Sequence, residues 1–290
     1  MFSSLDCYPC LVRHALEVSR WISDDSAIQR SLMRRVLHLL SRMPEEVTPV
    51  RAAAEVHALI RADLGVSDPY LAQKKKYNEL ALALLPRLKQ VIQQAEDPLE
   101  TATKIAIAGN IIDFGALGEG FDVEEAVNQG LASRFGIDEF ASLRRDLDRA
   151  RKVVYVGDNT GEIAFDRLLV EEIQCLFGPE ITFVVRGNPI LNDATLEDAR
   201  EVGLADRVEV VASGGDAPGC ELDRSPALQP LFESADLILS KGQGNYEALS
   251  LEPYPIYFLL RIKCKIIARD IGGEKGAGVV KRTCAYAWDR

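Results

Sequence analysis

The sequence predicts an α/β protein in which an all-helical N-terminal region precedes a C-terminal domain built on a mostly parallel sheet. Two observations support this fold class. Up to about residue 145, apolar residues recur at helical spacing, as in 11–18, 32–40 and 80–88. After that point, short β-rich runs alternate with amphipathic segments. We therefore divide the chain into a helical region, 1–145, and an α/β domain, 146–290.

Five apolar runs are predicted to form the strands of the sheet. They are continuous rather than alternating in polarity, as expected when helices cover both faces of a sheet. The runs are KVVYV (152–156), ITFVV (181–185), RVEVVA (207–212), LILS (237–240) and KIIA (265–268). Helices are predicted over 161–177 and 194–202, after the first two strands.

Length, composition and charge narrow the class of protein. The 290 residues are 47% hydrophobic, which is enough to bury a large core. Because the formal charge is -10, we expect no general electrostatic attraction to nucleic acid or to an anionic membrane. Neither a secretory leader nor an 18-residue apolar stretch is found, so we expect a cytoplasmic protein.

The six cysteines do not form the framework of a disulfide-built fold, because they are few and scattered in a chain of this length. Only Cys7 and Cys10 make a motif, CYPC, ahead of a predicted helix. One pair supplies two of the four ligands of a structural zinc site, and His14 could supply a third. Packing, a metal or cluster site and redox chemistry all remain open for this pair.

Unusual polar sequences follow three of the predicted strands. GDNTGE (157–162) follows the first, RGNPILNDAT (186–195) the second and KGQGNYE (241–247) the fourth. Ligands of open α/β sheets bind beyond the carboxyl ends of the strands. These three segments are therefore the candidates for the functional site.

The residue types in these segments suit a divalent cation and a phosphate. Oxygen atoms of Asp158, Asn159 and Asp193 are the ligands that Mg²⁺ or Mn²⁺ prefers, with positions left open for water. Lys241, followed by glycines, can bring an ammonium and backbone N–H groups to an anion. We predict that the metal and the phosphate bind at one site, at the carboxyl edge of the sheet.

Each of these motifs also has a purely structural explanation. Asp158 could cap the helix 161–177, and Asp193 could cap the helix 194–202. Nucleotide-binding motifs are incomplete, because GQGN lacks the third glycine of a dinucleotide fingerprint and GGEKGAG (272–278) lacks the Gly-Lys-Ser/Thr of a P-loop. A separate structural role at each of three strand ends would be a coincidence, whereas one shared site explains all three segments together.

The ordered motifs GDNTGE, RGNPILNDAT and SKGQGNYEAL resemble the DUF89 family of damage-control phosphatases, with its ARMT1-like metal-binding domain. DPYLAQKKKYNELAL (68–82), AIAGNIIDFG (106–115) and the CxxC pair extend the resemblance over almost the whole chain. The CxxC pair is similar to that of the compact prokaryotic, AF1104-like group. The resemblance implies a helical N-terminal region and a C-terminal three-layer α/β domain.

The resemblance also implies roles for individual residues. Asp158, Asn159 and Asp193 would hold the divalent metal, and Lys241 would meet the substrate phosphate. Further residues would contribute to substrate binding: Asn110, Asp113, Arg186, Gly242 and Asn245. We expect Asn110 and Asp113 to face Asp158 across a cleft. Glu162 and Asp113 are candidates for the general base.

The expected function is that of a metal-dependent phosphatase acting on phosphate monoesters of small metabolites, sugar-phosphate-like or damaged. Mg²⁺, Mn²⁺, Co²⁺ or Ni²⁺ would be the cofactor, and neither nucleic acid nor a membrane is an expected partner. The alternative is a non-catalytic or regulatory protein that uses the metal to hold a phosphorylated metabolite. Lysines 74–76 are expected to form a solvated face.

Overall fold

The structure is a computed structural model that describes residues 3–109, 123–284 and 286. The helices are α1 (Cys7–Ile22), α2 (Ser26–Leu40), α3 (Pro49–Leu64), α4 (Leu71–Gln94), α5 (Pro98–Gly109), α6 (Val123–Ala132), α7 (Phe140–Arg149), α8 (Glu162–Phe177), α9 (Leu196–Glu201), α10 (Gln229–Ser234), α11 (Gln243–Leu249) and α12 (Lys265–Ile271). The strands are β1 (Ile137–Asp138), β2 (Lys152–Val156), β3 (Glu180–Val185), β4 (Glu209–Ala212), β5 (Leu237–Lys241), β6 (Ile256–Arg261) and β7 (Gly278–Arg282). The predicted fold class is confirmed.

The sheet has the strand order β1-β7-β6-β5-β2-β3-β4. Every neighbouring pair is parallel except β6 and β7, which run antiparallel. From β2 the chain moves outward through β3 to β4, and then returns to place β5 on the other side of β2. The point where the order reverses lies between β2 and β5, which is where open α/β sheets bind their ligands.

Helices cover both faces of the sheet, so the domain has three layers. Successive residues of β2 point to opposite sides: Val153 and Tyr155 enter one core, Val154 and Val156 the other. The first core also contains residues of α4, α5, α7 and α8, and the second contains residues of α10, α11 and α12. Residues of α1, α2 and α3 form a smaller cluster of their own. Continuous apolar strands are buried on both faces, as the sequence predicted.

One predicted strand is wrong. The run KIIA (265–268) belongs to α12, which is capped by the Cys264 thiol accepting from the Ile267 N–H. A four-residue apolar run does not separate strand from helix by periodicity alone. The strands missed on this side of the sheet are β1, β6 and β7. No helix of the described residues is long and apolar enough to cross a membrane.

The lysine run on α4 is only partly solvated. Lys75 and Lys76 are exposed, as expected, but Lys74 is buried. Its ammonium lies 3.3 Å from Asp68 Oδ2 and 3.0 Å from Asp198 Oδ2. The prediction of a solvated face is therefore wrong for Lys74, because two carboxylates stabilise a charge that burial alone would make costly.

Asn78, one helical turn after Lys74, joins the helical region to the strand-end loop. Its amide nitrogen donates to Glu201 Oε2 at 2.7 Å, and its side-chain oxygen accepts from the Gly161 N–H at 2.9 Å. Gly161 has φ +79°, and a Cβ there would lie 3.1 Å from the Tyr77 carbonyl oxygen. A glycine is needed where α4 approaches the start of α8 this closely.

Candidate active site

The three polar strand ends meet at the reversal point of the sheet. Asn159 and Asp193 form an isolated antiparallel bridge, and the Ala194 N–H donates to the Asp158 carbonyl at 2.9 Å. Gly242 completes the contact from the end of β5: a Cβ there would lie 1.9 Å from Asp158 Oδ2. The predicted convergence is found, and Gly242 allows β5 to approach Asp158.

Neither aspartate caps a helix. The N-cap of α8 is Gly161 and that of α9 is Thr195, whose capping box is completed by Asp198. The capping explanation for Asp158 and Asp193 is therefore excluded by the structure. Both carboxylates are buried, with 7% and 3% of their surface exposed.

Arg186 compensates part of this buried negative charge. Its Nε donates to Asp193 Oδ2 at 2.6 Å, and its Nη2 lies 3.8 Å from Asp158 Oδ1. Nη2 also donates to Asn245 Oδ1 at 3.0 Å, while the Asn245 amide nitrogen donates to the carbonyls of Lys241 and Gly157. Arg186 and Asn245 thus orient the strand ends from beneath. Direct contact of either residue with a substrate stays a prediction.

Lys241 is the most enclosed of the predicted site residues. Its ammonium is fully buried and donates to Glu162 Oε1 at 2.5 Å, to Asp166 Oδ1 at 2.6 Å and to the Ala106 carbonyl at 2.8 Å. Burial alone would lower the pKa of Lys241, but the charges of Asp166 and Glu162 raise it. Lys241 is enclosed in a protein cage, and its contact with a substrate phosphate stays a prediction.

Glu162 is part of this cage. Its Oε1 accepts from Lys241, and its Oε2 accepts from the Asn159 amide nitrogen at 3.1 Å. The side chain is fully buried. Because both oxygens are held by hydrogen-bond donors, this geometry favours a positioning role for Glu162 over that of a general base.

Residues 110 and 113 lie outside the described residues, so the predicted positions of Asn110 and Asp113 are not tested. The end of α5 just before them is described. Ala106 contacts Lys241, and Gly109 lies against Phe165 and Glu162. The last turn of α5 therefore reaches the start of α8.

A cavity of about 250 Å³ opens over Asp158, Asn159 and Asp193. Its far wall comes from α1 and α3 and is largely apolar, with Leu11 and Trp21 among its residues. The helical region therefore closes over the carboxyl end of the sheet.

Lys263 and Asn192 are two of the cavity residues that were not predicted from the sequence. Lys263 follows β6 and lines the cavity together with the carboxylates. Asn192, in the loop after β3, also lines it, and its amide nitrogen is buried without a hydrogen-bond partner among the described residues. Both bring donors toward the space over Asp158. The wrong strand at 265–268 hid Lys263, because it placed that residue before a strand instead of after one.

Burial and mutual repulsion shift the carboxyl groups toward the protonated form. Burial, with the charges of Asp193 and Glu162, raises the pKa of Asp158 to about 8, although Lys263 and Arg186 oppose the shift. Burial also raises the pKa of Asp193, against the effect of Arg186. Such a pair is stabilised by a bound cation.

The donor set fits a hard divalent cation. Among the described residues, no group of three or more His, Cys, Asp and Glu side chains is arranged to hold a metal. A site here would therefore combine two carboxylates with an amide oxygen and water. The Asn159 amide nitrogen donates to Asp158 Oδ2 at 2.8 Å and to Glu162, so the side-chain oxygen is the atom of Asn159 that would bind an ion. Oxygen donors with open positions are typical of Mg²⁺ and Mn²⁺ sites.

The raised pKa of Asp158 gives an expected pH dependence of stability. Between the ordinary value of 3.8 and about 8, the folded metal-free protein holds a proton that the unfolded chain releases. This contribution to the free energy of unfolding is present at low pH and is lost as pH rises through about 8. Urea unfolding in EDTA at about pH 6 and about pH 8.5 should show wild type losing more stability than Asp158→Asn. Equal losses of stability in the two proteins would mean that the pKa of Asp158 is not raised in the folded state.

The chain matches known proteins over almost its whole length. The family model described as the damage-control phosphatase ARMT1-like domain matches residues 3–279. A damage-control phosphatase of Archaeoglobus fulgidus is 36% identical over 288 residues, covering 95% of this chain and 97% of that protein. A damage-control phosphatase of Pyrococcus horikoshii is 32% identical over 280 residues, covering 96% of each.

The fold agrees with these matches. The crystal structure of a DUF89 family protein from Pyrococcus horikoshii superposes with a TM-score of 0.88 at 32% identity, over 98% of this chain and 99% of that one. The resemblance carried by the strand-end motifs is therefore confirmed at the level of the family. The chain belongs to the damage-control phosphatase family with the ARMT1-like (DUF89) domain.

Proposed function

We propose that the protein is a metal-dependent phosphatase that hydrolyses phosphate monoesters of small metabolites. One observation carries the proposal: a cavity at the reversal point of the sheet has two buried carboxylates and an amide on its floor, with an ammonium beside them. The names of the related proteins support phosphatase chemistry. The cavity is large enough for a small metabolite and is closed on one side by the helical region.

Asp158, Asn159 and Asp193 would hold the metal. A divalent ion, Mg²⁺, Mn²⁺, Co²⁺ or Ni²⁺, would polarise a phosphoryl oxygen and activate a bound water. Arg186 keeps Asp193 in place through its 2.6 Å contact, and it balances charge in the absence of the ion. Because Gly242 has no side chain, the Asp158 carboxylate can occupy the space beside it.

Lys263 and Asn192 are the groups best placed to receive the phosphate. Both line the cavity, and the buried Asn192 amide nitrogen has no protein acceptor among the described residues. An ammonium and an amide donor stabilise negative charge that develops on the phosphoryl oxygens. Lys241, paired with Glu162 and Asp166, supports the site from beneath. The metabolite's organic part would face the apolar wall that includes Leu11 and Trp21.

The function is tested by measuring phosphate release from p-nitrophenyl phosphate, sugar phosphates, phosphopantetheine and nucleotides with each of the four metals and with EDTA. We expect turnover only with metal. Tight binding of phosphorylated metabolites without release of phosphate in any combination would favour the alternative, a non-catalytic binding protein.

Lys263→Ala is expected to raise KM for a phosphorylated substrate about tenfold, because a charged hydrogen bond to phosphate is worth roughly 1.5–3 kcal/mol. Metal affinity should change little, because an ammonium is not a metal ligand. Lys265→Ala is the matched control: Lys265 is exposed and lies two residues further along, in α12. Equal kinetics for the two variants would contradict the role of Lys263.

A further inference from the structure

The CxxC pair lies on the wall of the proposed catalytic cavity. Cys7 is the first residue of α1, and Cys10 follows one turn later. Both line the cavity over Asp158, and so does Cys264, which precedes α12. The pair on α1 and Cys264, which is distant in sequence, thus line one cavity. The six cysteines of the chain are all thiols in the structure.

The geometry of α1 allows Cys7 and Cys10 to be joined. Residues three apart on a helix share a face, and their Cα atoms are roughly 5 Å apart. This separation falls within the range of disulfide bonds, about 4.4–6.8 Å. A bond between them therefore needs little movement of the backbone.

Cys264 is held in place in the wall of the same cavity. Its sulfur accepts from the Ile267 N–H at 3.5 Å and from the Gln243 amide nitrogen at 3.6 Å. Burial raises the pKa of Cys7, and charges on Glu247, Cys264 and Cys10 raise it further.

We propose that Cys7, Cys10 and Cys264 form an oxidation site whose disulfide lowers turnover in the adjoining cavity. A hydroperoxide oxidises the exposed Cys10 thiol to a sulfenic acid, and the peroxide's second oxygen leaves as water or alcohol. The Cys7 thiol then condenses with the sulfenic acid, which forms the disulfide and releases water. Two thiols lose two electrons in total, and the peroxide gains them.

Thiol–disulfide exchange can move the bond across the cavity. The Cys264 thiolate attacks the Cys7 sulfur, and Cys10 leaves as a thiolate. The new bond joins α1 to the segment between β6 and α12. Lys263 is the residue before Cys264, so this bond restrains the ammonium assigned above to phosphate binding. The effect on turnover rests on the proposed phosphatase function, but formation of the bond does not.

The test treats reduced protein with hydrogen peroxide, then maps disulfides by mass spectrometry and counts free thiols. We expect two thiols to be lost, a disulfide that joins Cys7 to Cys10 or Cys264, and recovery with dithiothreitol. Cys175→Ser is the matched control, because Cys175 is exposed on α8 and does not line the cavity. Cys7→Ser should form no such bond, whereas Cys175→Ser should behave like wild type.

Phosphate release is compared between the oxidised and reduced forms of each variant. We expect a several-fold loss on oxidation in wild type and Cys175→Ser, reversed by dithiothreitol, and no loss in Cys7→Ser. Absence of a bond at Cys7, or an unchanged rate once the bond has formed, would overturn the proposal. If no form releases phosphate, the proposed function fails, while the disulfide map still tests the thiol site.

Discussion

Asp158→Ala is expected to reduce metal-dependent phosphate release by at least about 10²–10³-fold, the typical cost of removing one group that stabilises developing charge. The residue supplies one of two carboxylates on the cavity floor, and it fills the space beside Gly242. Without Asp158, Asn159 and Asp193 alone would have to hold the ion. The measurement is the rate of phosphate release at saturating metal.

The Asp158→Ala protein should stay folded. Arg186 keeps its 2.6 Å contact with Asp193, and removal of one carboxylate relieves the repulsion that helps to raise the pKa of Asp158 to about 8. Asp148→Ala, an exposed change on α7, is the control for a lost surface charge. Activity of Asp158→Ala equal to that of this control would show that the metal binds elsewhere.

Lys241→Met is expected to destabilise the protein by about 3–5 kcal/mol, the usual cost of removing one partner of a buried ion pair. Glu162 and Asp166 would keep their burial and lose the ammonium that contacts both. Burial already raises the pKa of Asp166 to about 7, although Lys241 opposes that shift. The free energy of unfolding is measured by urea denaturation at about pH 7.5, where carboxyl groups of the unfolded chain are ionised.

A triple variant separates charge from packing in this cage. Lys241→Met combined with Glu162→Gln and Asp166→Asn removes the three charges together and keeps similar side-chain volumes. The triple variant should recover part of the lost stability, because it leaves no unpaired charge buried. A loss below about 1 kcal/mol for Lys241→Met alone, as for a surface substitution, would contradict the buried network.

The floor of the site could be predicted because it follows from short-range patterns. GDN and ND come directly after apolar strands, and parallel strands bring their carboxyl ends to one edge. The switch from apolar run to Asp158 or Asp193 is therefore visible in the sequence. The neighbours that bury and repel these carboxylates come from β5, α8 and the loop after β3, and no spacing rule gives their distances.

For Lys241, the residue type and its neighbours in sequence did not predict what surrounds the ammonium. A lysine followed by glycines suggests an anion site, but Glu162 and Asp166 are separated from it by more than seventy positions and enclose its ammonium. The ammonium that lines the cavity belongs to Lys263, whose position depends on α12 being a helix. Cys7 and Cys264 likewise line one cavity only because α1 lies over the carboxyl end of the sheet.

The most direct test of the central claim is calorimetric titration of Mn²⁺ into metal-free wild type and Asp158→Ala. We expect one Mn²⁺ ion to bind per chain in wild type. In Asp158→Ala, Mn²⁺ should bind at least about tenfold more weakly, because one of two charged ligands is lost. Equal affinity and stoichiometry for the two proteins would contradict a metal site built on Asp158, Asn159 and Asp193.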